Sequence, residues 1–322
     1  MTRFGYHASH EQYAPSALLE NVRLATESGF DGVLSSDHFH PWLDENGHSG
    51  FGWSWLGAAM QCTTARFGTV CAPGDRYHPA IIAQAAATLA EMFADRFWLA
   101  VGTGEALNEH ITGAVWPPKP ERQARLLECV DVMRALWRGE TVSHRGRVVV
   151  TDARLYSLPR RPPVLLGAAV SEETAAWCGA WADGLITTGR PREEMARMIE
   201  AFRDRGGEGK PVFVQHVLSW NRSEDAAHAA ALEQWRFSTL DAEQLWNLRT
   251  PADFAAATRA VTAKQVSSKI RVSSDLGRHA EWLKAYADVG VEAVFCLNVG
   301  KNQREFIEAF SREVLPELNS GR

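Results

Sequence analysis

Cysteine is sparse in this chain. Cys62, Cys71, Cys129, Cys178 and Cys296 are scattered, odd in number and without a Cys-x-x-Cys pair. That excludes a disulfide framework and a thiolate metal site, and fits reduced thiols in a cytoplasmic protein. No apolar run approaches the roughly 20 residues of a membrane span. The opening MTRFGYHASHEQ lacks the basic start and apolar run of a secretory leader. There is no excess of positive charge: 34 Lys and Arg against 39 Asp and Glu give a formal net charge of −5, so the basic footprint of a nucleic-acid binder is missing. Lysine is itself rare, and the strong preference for arginine reads as genome composition more than function. No Gly-x-Gly-x-x-Gly follows the first strand pattern, which weakens a dinucleotide-binding reading.

What remains is a globular chain of 322 residues, 45% hydrophobic and 23% charged, long enough for two average domains or one α/β barrel. Short apolar runs that read as buried strands recur at Arg3–His7, Asp31–Ser35, Arg66–Cys71, Arg96–Val101, Pro163–Ala169, Gly184–Thr188, Val212–Ser219 and Glu292–Leu297. Amphipathic helical patterns lie between them: Leu18, Val22, Ala25; Ile82, Ala85, Leu89, Met92; Leu126, Val130, Met133, Trp137 closing on Gly139; and Phe306, Phe310, Val314 stopping near Pro316. This alternation predicts a (β/α)₈ TIM barrel as one unit over residues 1–322, with a doubly wound sheet as the competing arrangement. Two stretches break the pattern and read as insertions: a hairpin excursion at about 141–163, with Val142, Val148, Val149 and Val150 around Gly146, and a polar helical segment at about 238–274.

In a barrel, chemistry sits at the C-terminal ends of the strands. The unusual residues gather there: His7-Ala8-Ser9-His10-Glu11 after the first strand, Ser36-Asp37-His38-Phe39-His40-Pro41-Trp42 after the second, Ala72-Pro73 after the third, and Gly102-Thr103-Gly104-Glu105-Ala106-Leu107-Asn108-Glu109 after the fourth. His38 beside Asp37 suits a general base. Glu105 suits an acid if its pKa is raised. A metal cluster of Asp37, His38, His40, His7 and His10 is the rival reading, but lone Glu105 is a poor complement of further ligands, and no metal is assigned. Trp42, Trp53, Trp55 and Trp116 read as loop aromatics near the mouth, suited to walling a planar ligand.

At these residues the sequence resembles the luciferase-like monooxygenase and deazaflavin-dependent oxidoreductase superfamily. It is similar in particular to the branch of glucose-6-phosphate dehydrogenases that use coenzyme F420. The resemblance rests on Phe4-Gly5-Tyr6, Glu11-Gln12, Ser36-Asp37-His38-Phe39, Pro41-Trp42, Arg76-Tyr77, Gly102–Glu109 and Ala182-Asp183-Gly184, and is weak from Asn221 to Ser274. It implies a barrel with a flavin-type cofactor at its mouth, His38 as base, Trp42 as its aromatic partner, Glu105 as acid and Glu11 as supporting carboxylate. It implies cofactor contacts from Asp37, Thr69, Val70, Ala72, Thr103, Gly104, Asn108, Val170 and Ser171, and a non-proline cis peptide at Thr69–Val70. Arg190 and Lys269 fall where a sugar phosphate would be held; the third such position is Ala256. Val170-Ser171 stands where the deazaflavin enzymes have two glycines, and Ala72 where they have threonine. With His7–Gln12, Cys71–Gly74 and Trp116–Glu121, these departures are more similar to a side group that uses FMN. The implied function is therefore an oxidoreductase, with FMN as the expected cofactor and coenzyme F420 as the alternative. It acts on a small organic substrate, and a homodimer is the family expectation. A monooxygenase using reduced FMN and oxygen, and a non-catalytic flavin-binding barrel, are the rival functions.

Overall fold

The computed structural model describes residues 2–319; residue 1 and residues 320–322, the ends of the expected 1–322 unit, lie outside the described residues. Among the described residues eleven strands form: β1 (Arg3–Ala8), β2 (Gly32–Ser35), β3 (Arg66–Cys71), β4 (Phe97–Val101), β5 (Val142–Arg145), β6 (Val149–Ala153), β7 (Val164–Ala168), β8 (Gly184–Thr188), β9 (Val212–Ser219), β10 (Arg271–Val272) and β11 (Ala293–Asn298). Eight of them pair in the order β1-β2-β3-β4-β7-β8-β9-β11, and the β11–β1 contact closes the ring. All the ring pairings are parallel. The expected barrel is present, and its eight strands are the eight apolar runs. The two-residue β10, paired to β9, is too short to leave a sequence pattern.

The barrel interior is filled by aromatic rings. Trp98 on β4 meets Phe213 at 5.1 Å and Phe295 at 5.6 Å between ring centroids. Glycine makes the room: a Cβ at Gly68 would fall 1.9 Å from the Trp98 ring, and one at Gly5 2.5 Å from Phe295. A Gly68→Ala change therefore cannot be absorbed without moving a buried tryptophan. This plug leaves the C-terminal rim as the place for a site.

The outer helices bury the expected stripes Leu18, Val22, Ala25 and Leu126, Val130, Met133, Trp137, and Gly139 takes φ +80° just past the second of these helices. The helix Pro79–Met92 buries the expected Ile82 and Leu89, but the inward face is wider than the expected stripe and excludes Met92. It buries Ile82, Ala83, Ala86, Ala87, Leu89 and Ala90 and leaves Met92 exposed. Nearly every residue here is apolar, so periodicity cannot choose a face. Packing chooses the small alanines, and Trp137 Nε1 donates to the Ala83 carbonyl at 2.9 Å. The C-terminal helix continues through Pro316 to Asn319, with a wider turn at Phe310–Val314 just before the proline.

The hairpin β5–β6 pairs antiparallel around Gly146. After β9, the helices Glu224–Trp235, Ala242–Asn247, Pro251–Ala257 and Ala263–Ser267 follow. The last two start on full capping boxes, Thr250 with Asp253 and Thr262 with Gln265. Phe254 and Val266 from these helices, with Phe237 and Ile270 from the stretches beside them, share one apolar cluster with Leu43 and Leu107 from the stretches after β2 and β4. This segment thus braces the rim from outside.

Candidate active site

The loops after β1 and β2 meet first. Glu11 is buried, and its Oε2 accepts hydrogen bonds from the Ser9 and Ser36 hydroxyls, each at 2.8 Å. Its Oε1 lies 3.5 Å from His38 Nε2. Burial pushes the Glu11 carboxyl up, but His38, its own amide and the two serine hydroxyls outweigh this and hold it below the ordinary carboxylate range.

The opposite edge of the His38 ring faces the loop after β4. Asn108 Nδ2 lies 3.1 Å from His38 Nδ1 and 3.4 Å from Glu105 Oε2. Asn108 Oδ1 accepts from the backbone amides of Phe39 at 2.9 Å and His40 at 3.3 Å. Burial pushes the Glu105 carboxyl above its ordinary value, with Glu11 adding to the rise and His38 and Arg76 only partly opposing it. Four predicted residues, Glu11, His38, Asn108 and Glu105, thus form one connected row. Trp42 flanks it: its ring centroid is 5.2 Å from that of His38 and 4.6 Å from Phe237, with the Phe237 ring stacked at 9°. The inserted helices therefore fix the aromatic partner.

Asp37 is held by the loop that follows β3. Its Oδ1 accepts from the Tyr77 hydroxyl at 2.9 Å, and its Oδ2 is 3.2 Å from Arg76 Nη2. Arg76 also lies 3.5 Å from Glu109 Oε1, and its guanidinium stands 4.2 Å over the Tyr77 ring. Burial pushes both Asp37 and Glu109 up despite the arginine between them. Asp37 therefore anchors a buried charge cluster with Arg76, Tyr77 and Glu109.

The remaining residues divide. Thr69 is buried, its hydroxyl donating to the Ser35 carbonyl at 3.0 Å. No described peptide bond is cis, which corrects the Thr69–Val70 expectation. The unbroken parallel registers Thr69↔Ser35, Val70↔Ala100 and Cys71↔Val101 carry β3 straight through this point. Gly104 takes φ +77°, and a Cβ there would meet Ala72 Cβ at 3.0 Å and Glu109 Cγ at 3.1 Å. Gly102 stands against Ala168, and Thr103 beside them is half-buried. Ser171 caps the helix Glu172–Gly179, its hydroxyl accepting from the Thr174 amide, and Val170 is exposed. Arg190 reaches back from β8 to the Val170 carbonyl at 3.3 Å and the Thr187 and Thr188 hydroxyls at 3.4 Å. Lys269 is exposed just before β10. Trp53 and Trp55 are buried in the helix Gly52–Cys62 and belong to the core, not the mouth. Trp116 is held near the rim by Asn247 and Arg122.

Sequence reasoning missed the supports. Ser9 and Ser36 lie inside quoted motifs without a role, and Arg76, Tyr77 and Glu109 likewise. A buried amide knot was also invisible: Asn46 Nδ2 donates to Gln234 at 3.1 Å, and Gln12 Nε2 donates to the Val299 carbonyl at 2.7 Å and to Gln234 Oε1 at 3.2 Å. It ties the Glu11 and Trp42 loops to the helix Glu224–Trp235. His7 and His10 are buried beside Glu11, and burial pushes each down to about 4. Among the described residues no group of three or more His, Cys, Asp or Glu is placed to hold a metal ion.

The family described as luciferase-like monooxygenase matches residues 1–293. An "F420-dependent glucose-6-phosphate dehydrogenase" of Mycolicibacterium gilvum (strain PYR-GCK) is 38% identical over 98% of this chain and 98% of its own. One of Microbacterium testaceum (strain StLB037) is 36% identical over 98% of this chain and 97% of its own. Among solved structures, an "F420-dependent secondary alcohol dehydrogenase in complex with an F420-acetone adduct" superposes with a TM-score of 0.90 at 29% identity, covering 98% of this chain and 99% of that one.

Proposed function

Because this chain belongs to the luciferase-like monooxygenase family and is a flavin- or deazaflavin-dependent oxidoreductase, we propose that it is a coenzyme F420-dependent dehydrogenase, moving a hydride between that deazaflavin and a small alcohol or its carbonyl counterpart. The observation that carries this reading is the row Glu11–His38–Asn108–Glu105, which places an imidazole next to one carboxyl held below its ordinary range and another pushed above its own. The relatives' printed cofactor favours the deazaflavin over the FMN expectation. One observation favours FMN instead: Val170-Ser171, with Val170 44% exposed, stands where the resemblance places two glycines in the deazaflavin enzymes.

The residues present fit such a group. Val70, Ala72, Gly102 and Gly104 make a wall of small side chains at the ends of β3 and β4, where a flat ring can approach the backbone. Ser171, opening a helix, and Arg190 beside Val170 suit its phosphate. When bound, the cofactor supplies the site that gives or takes hydride. His38 takes the substrate hydroxyl proton, and Glu11 stabilises the imidazolium that results. Trp42, pinned on Phe237, shields the ring from water. Glu105 holds its proton at the polar edge of the cofactor wall.

Two broader expectations are kept as part of this proposal. The helices Gly52–Cys62 and Pro79–Met92 carry one charged residue between them, Glu91, and the exposed Phe51, Ile81 and Met92 on this face suit a homodimer. Five unpaired thiols suit a reducing cytoplasm, and no described helix is long and apolar enough to cross a membrane.

The test is a pair of separate titrations with coenzyme F420 and FMN, followed by tryptophan quenching, then anaerobic assay of the loaded protein with an alcohol panel. The proposal expects saturable binding of the deazaflavin and its reduction by an alcohol. Tight FMN binding with none for the deazaflavin overturns it.

A further inference from the structure

We infer that His7 and Gln215 form a substrate subsite on the floor of the barrel mouth, holding an uncharged polar group next to the reacting hydroxyl, so that the substrate is a vicinal diol or a hydroxycarbonyl compound. The inference deepens the dehydrogenase reading and rests on it. Alternate residues of a strand face the same way. Gly5, Gly68, Leu166 and Phe213 face the barrel interior: the two glycines make room for Phe295 and Trp98, and Leu166 and Phe213 belong to the same interior cluster. Two residues further along those four alternate strands stand His7, Val70, Ala168 and Gln215. They form one inward layer on top of the aromatic plug. Their chain neighbours agree. Tyr6 turns outward to Gln303, and His216 turns outward to Tyr286 on the helix Leu276–Ala287. Leu34, the register partner of His7, is an interior residue.

This layer is half apolar and half polar. Val70 and Ala168 pack on the interior cluster, and Gly102, against Ala168, continues that half into the wall fitted to a flat ring. His7 and Gln215 make the other half. Val214 and His216 on either side of Gln215 are buried, but Gln215 is only half-buried, and from inside a plugged barrel the open direction is the mouth. His7 is 5% exposed, and its Nδ1 has no hydrogen-bond partner. Such a group inside a fold calls for a specific explanation, and a ligand resting on the floor supplies one. The chain runs from His7 to Glu11, whose carboxylate lies 3.5 Å from His38 Nε2, and His7 is near enough to Glu11 and His38 for both to bear on its titration. A substrate that gives its hydroxyl proton to His38 therefore has its adjoining carbons over the polar half. Burial holds His7 down to about 4, so both floor residues are uncharged at neutral pH. They offer donors and acceptors but no countercharge, and Glu11 beside them is itself acidic. A phosphate or carboxylate finds nothing there to neutralise it, whereas a hydroxyl or carbonyl oxygen can be bonded by both side chains.

The test compares matched alcohols as reductants of coenzyme F420 on the full chain: propylene glycol against isopropanol, and ethylene glycol against ethanol. The expected kcat/KM for each diol exceeds that of its monoalcohol by about 10-fold, the worth of one good hydrogen bond. His7→Leu and Gln215→Leu each bring that ratio toward parity, and His7→Gln, which keeps a donor and an acceptor, retains part of it. Equal kcat/KM for diol and monoalcohol in the wild type overturns the inference, as does a loss in His7→Leu that is the same for both. A second readout needs no turnover. The protein is labelled with ¹⁵N-histidine, loaded with coenzyme F420 and titrated with the same alcohols, and the His7 ring nitrogens are identified by their loss in His7→Gln. They shift with the diols and not with the monoalcohols; unmoved His7 signals overturn the inference. Coenzyme reduced by neither class of alcohol overturns instead the dehydrogenase reading, and the nitrogen shifts keep the two failures apart. If His7→Leu does not fold, the wild-type ratio, Gln215→Leu and the nitrogen shifts decide.

Discussion

The two sides of the barrel mouth are built differently. On the β1–β4 side, side chains from three loops are bonded to one another before any ligand arrives: Ser9 and Ser36 on Glu11, Asn108 on His38, and Arg76 between Asp37 and Glu109. On the β7–β8 side, Arg190 makes only long contacts of 3.3–3.4 Å and Val170 is open to solvent. Under the proposed function, the difference separates two tasks. Proton transfer needs groups fixed to a fraction of an ångström, so that side is preorganised at the expense of several buried charges. Holding a phosphate tail needs positive charge and free amides, which tolerate adjustment.

The sharpest way to break this comparison is to remove the base. His38→Ala should lower turnover by about 10²–10⁴. His40→Ala should be nearly silent, because its Nδ1 points to the Leu107 carbonyl at 3.0 Å and its ring stacks on His110. Equal losses in the two would show that the loop, and not the imidazole, matters.

Arg76→Leu comes next. It strips the cation from between two buried carboxyl groups, a change that costs about 3–5 kcal/mol when a buried pair loses one partner. Urea unfolding reads this, and an unmoved midpoint would mean that Asp37 and Glu109 are already both protonated.

A smaller effect concerns acid. His7 and His10 are held at about 4 by burial, against 6.5 for the free side chain. Below pH 6.5 the unfolded chain therefore binds more protons than the native one. Stability should be full above that pH and fall as the pH drops toward 4, by up to about 3 kcal/mol for each histidine. His7→Gln should flatten the slope; an unchanged slope would place the acid sensitivity elsewhere, for instance at buried His216 or His279.

The same contrast explains what the sequence makes legible. The strands are visible because each is a short, fully buried run, and the rim residues stand out because polar clusters follow such runs directly. The supports are not visible because they are contacts across the fold. Asn108 meets His38 from 70 positions away, and Gln234 meets Asn46 from 188; no local pattern records either. Trp53 and Trp55 read as loop residues because they follow the glycines at 47, 50 and 52, yet that approach ends in a helix whose Gly52 packs against the Ser36 carbonyl. Asp37 stands out beside His38 in the sequence, but its partners Arg76 and Tyr77, some 40 residues on, do not.

The measurement that bears most directly on the division of labour pairs one variant from each side. Wild type, His38→Ala and Arg190→Ala are compared for coenzyme affinity and, at saturating coenzyme, for single-turnover hydride transfer from an alcohol. The account predicts a clean split: His38→Ala loses rate with affinity intact, while Arg190→Ala loses about 10-fold or more in affinity, as for a hydrogen bond to a charged group, with rate intact. Loss of affinity in His38→Ala, or loss of rate in saturated Arg190→Ala, would contradict it.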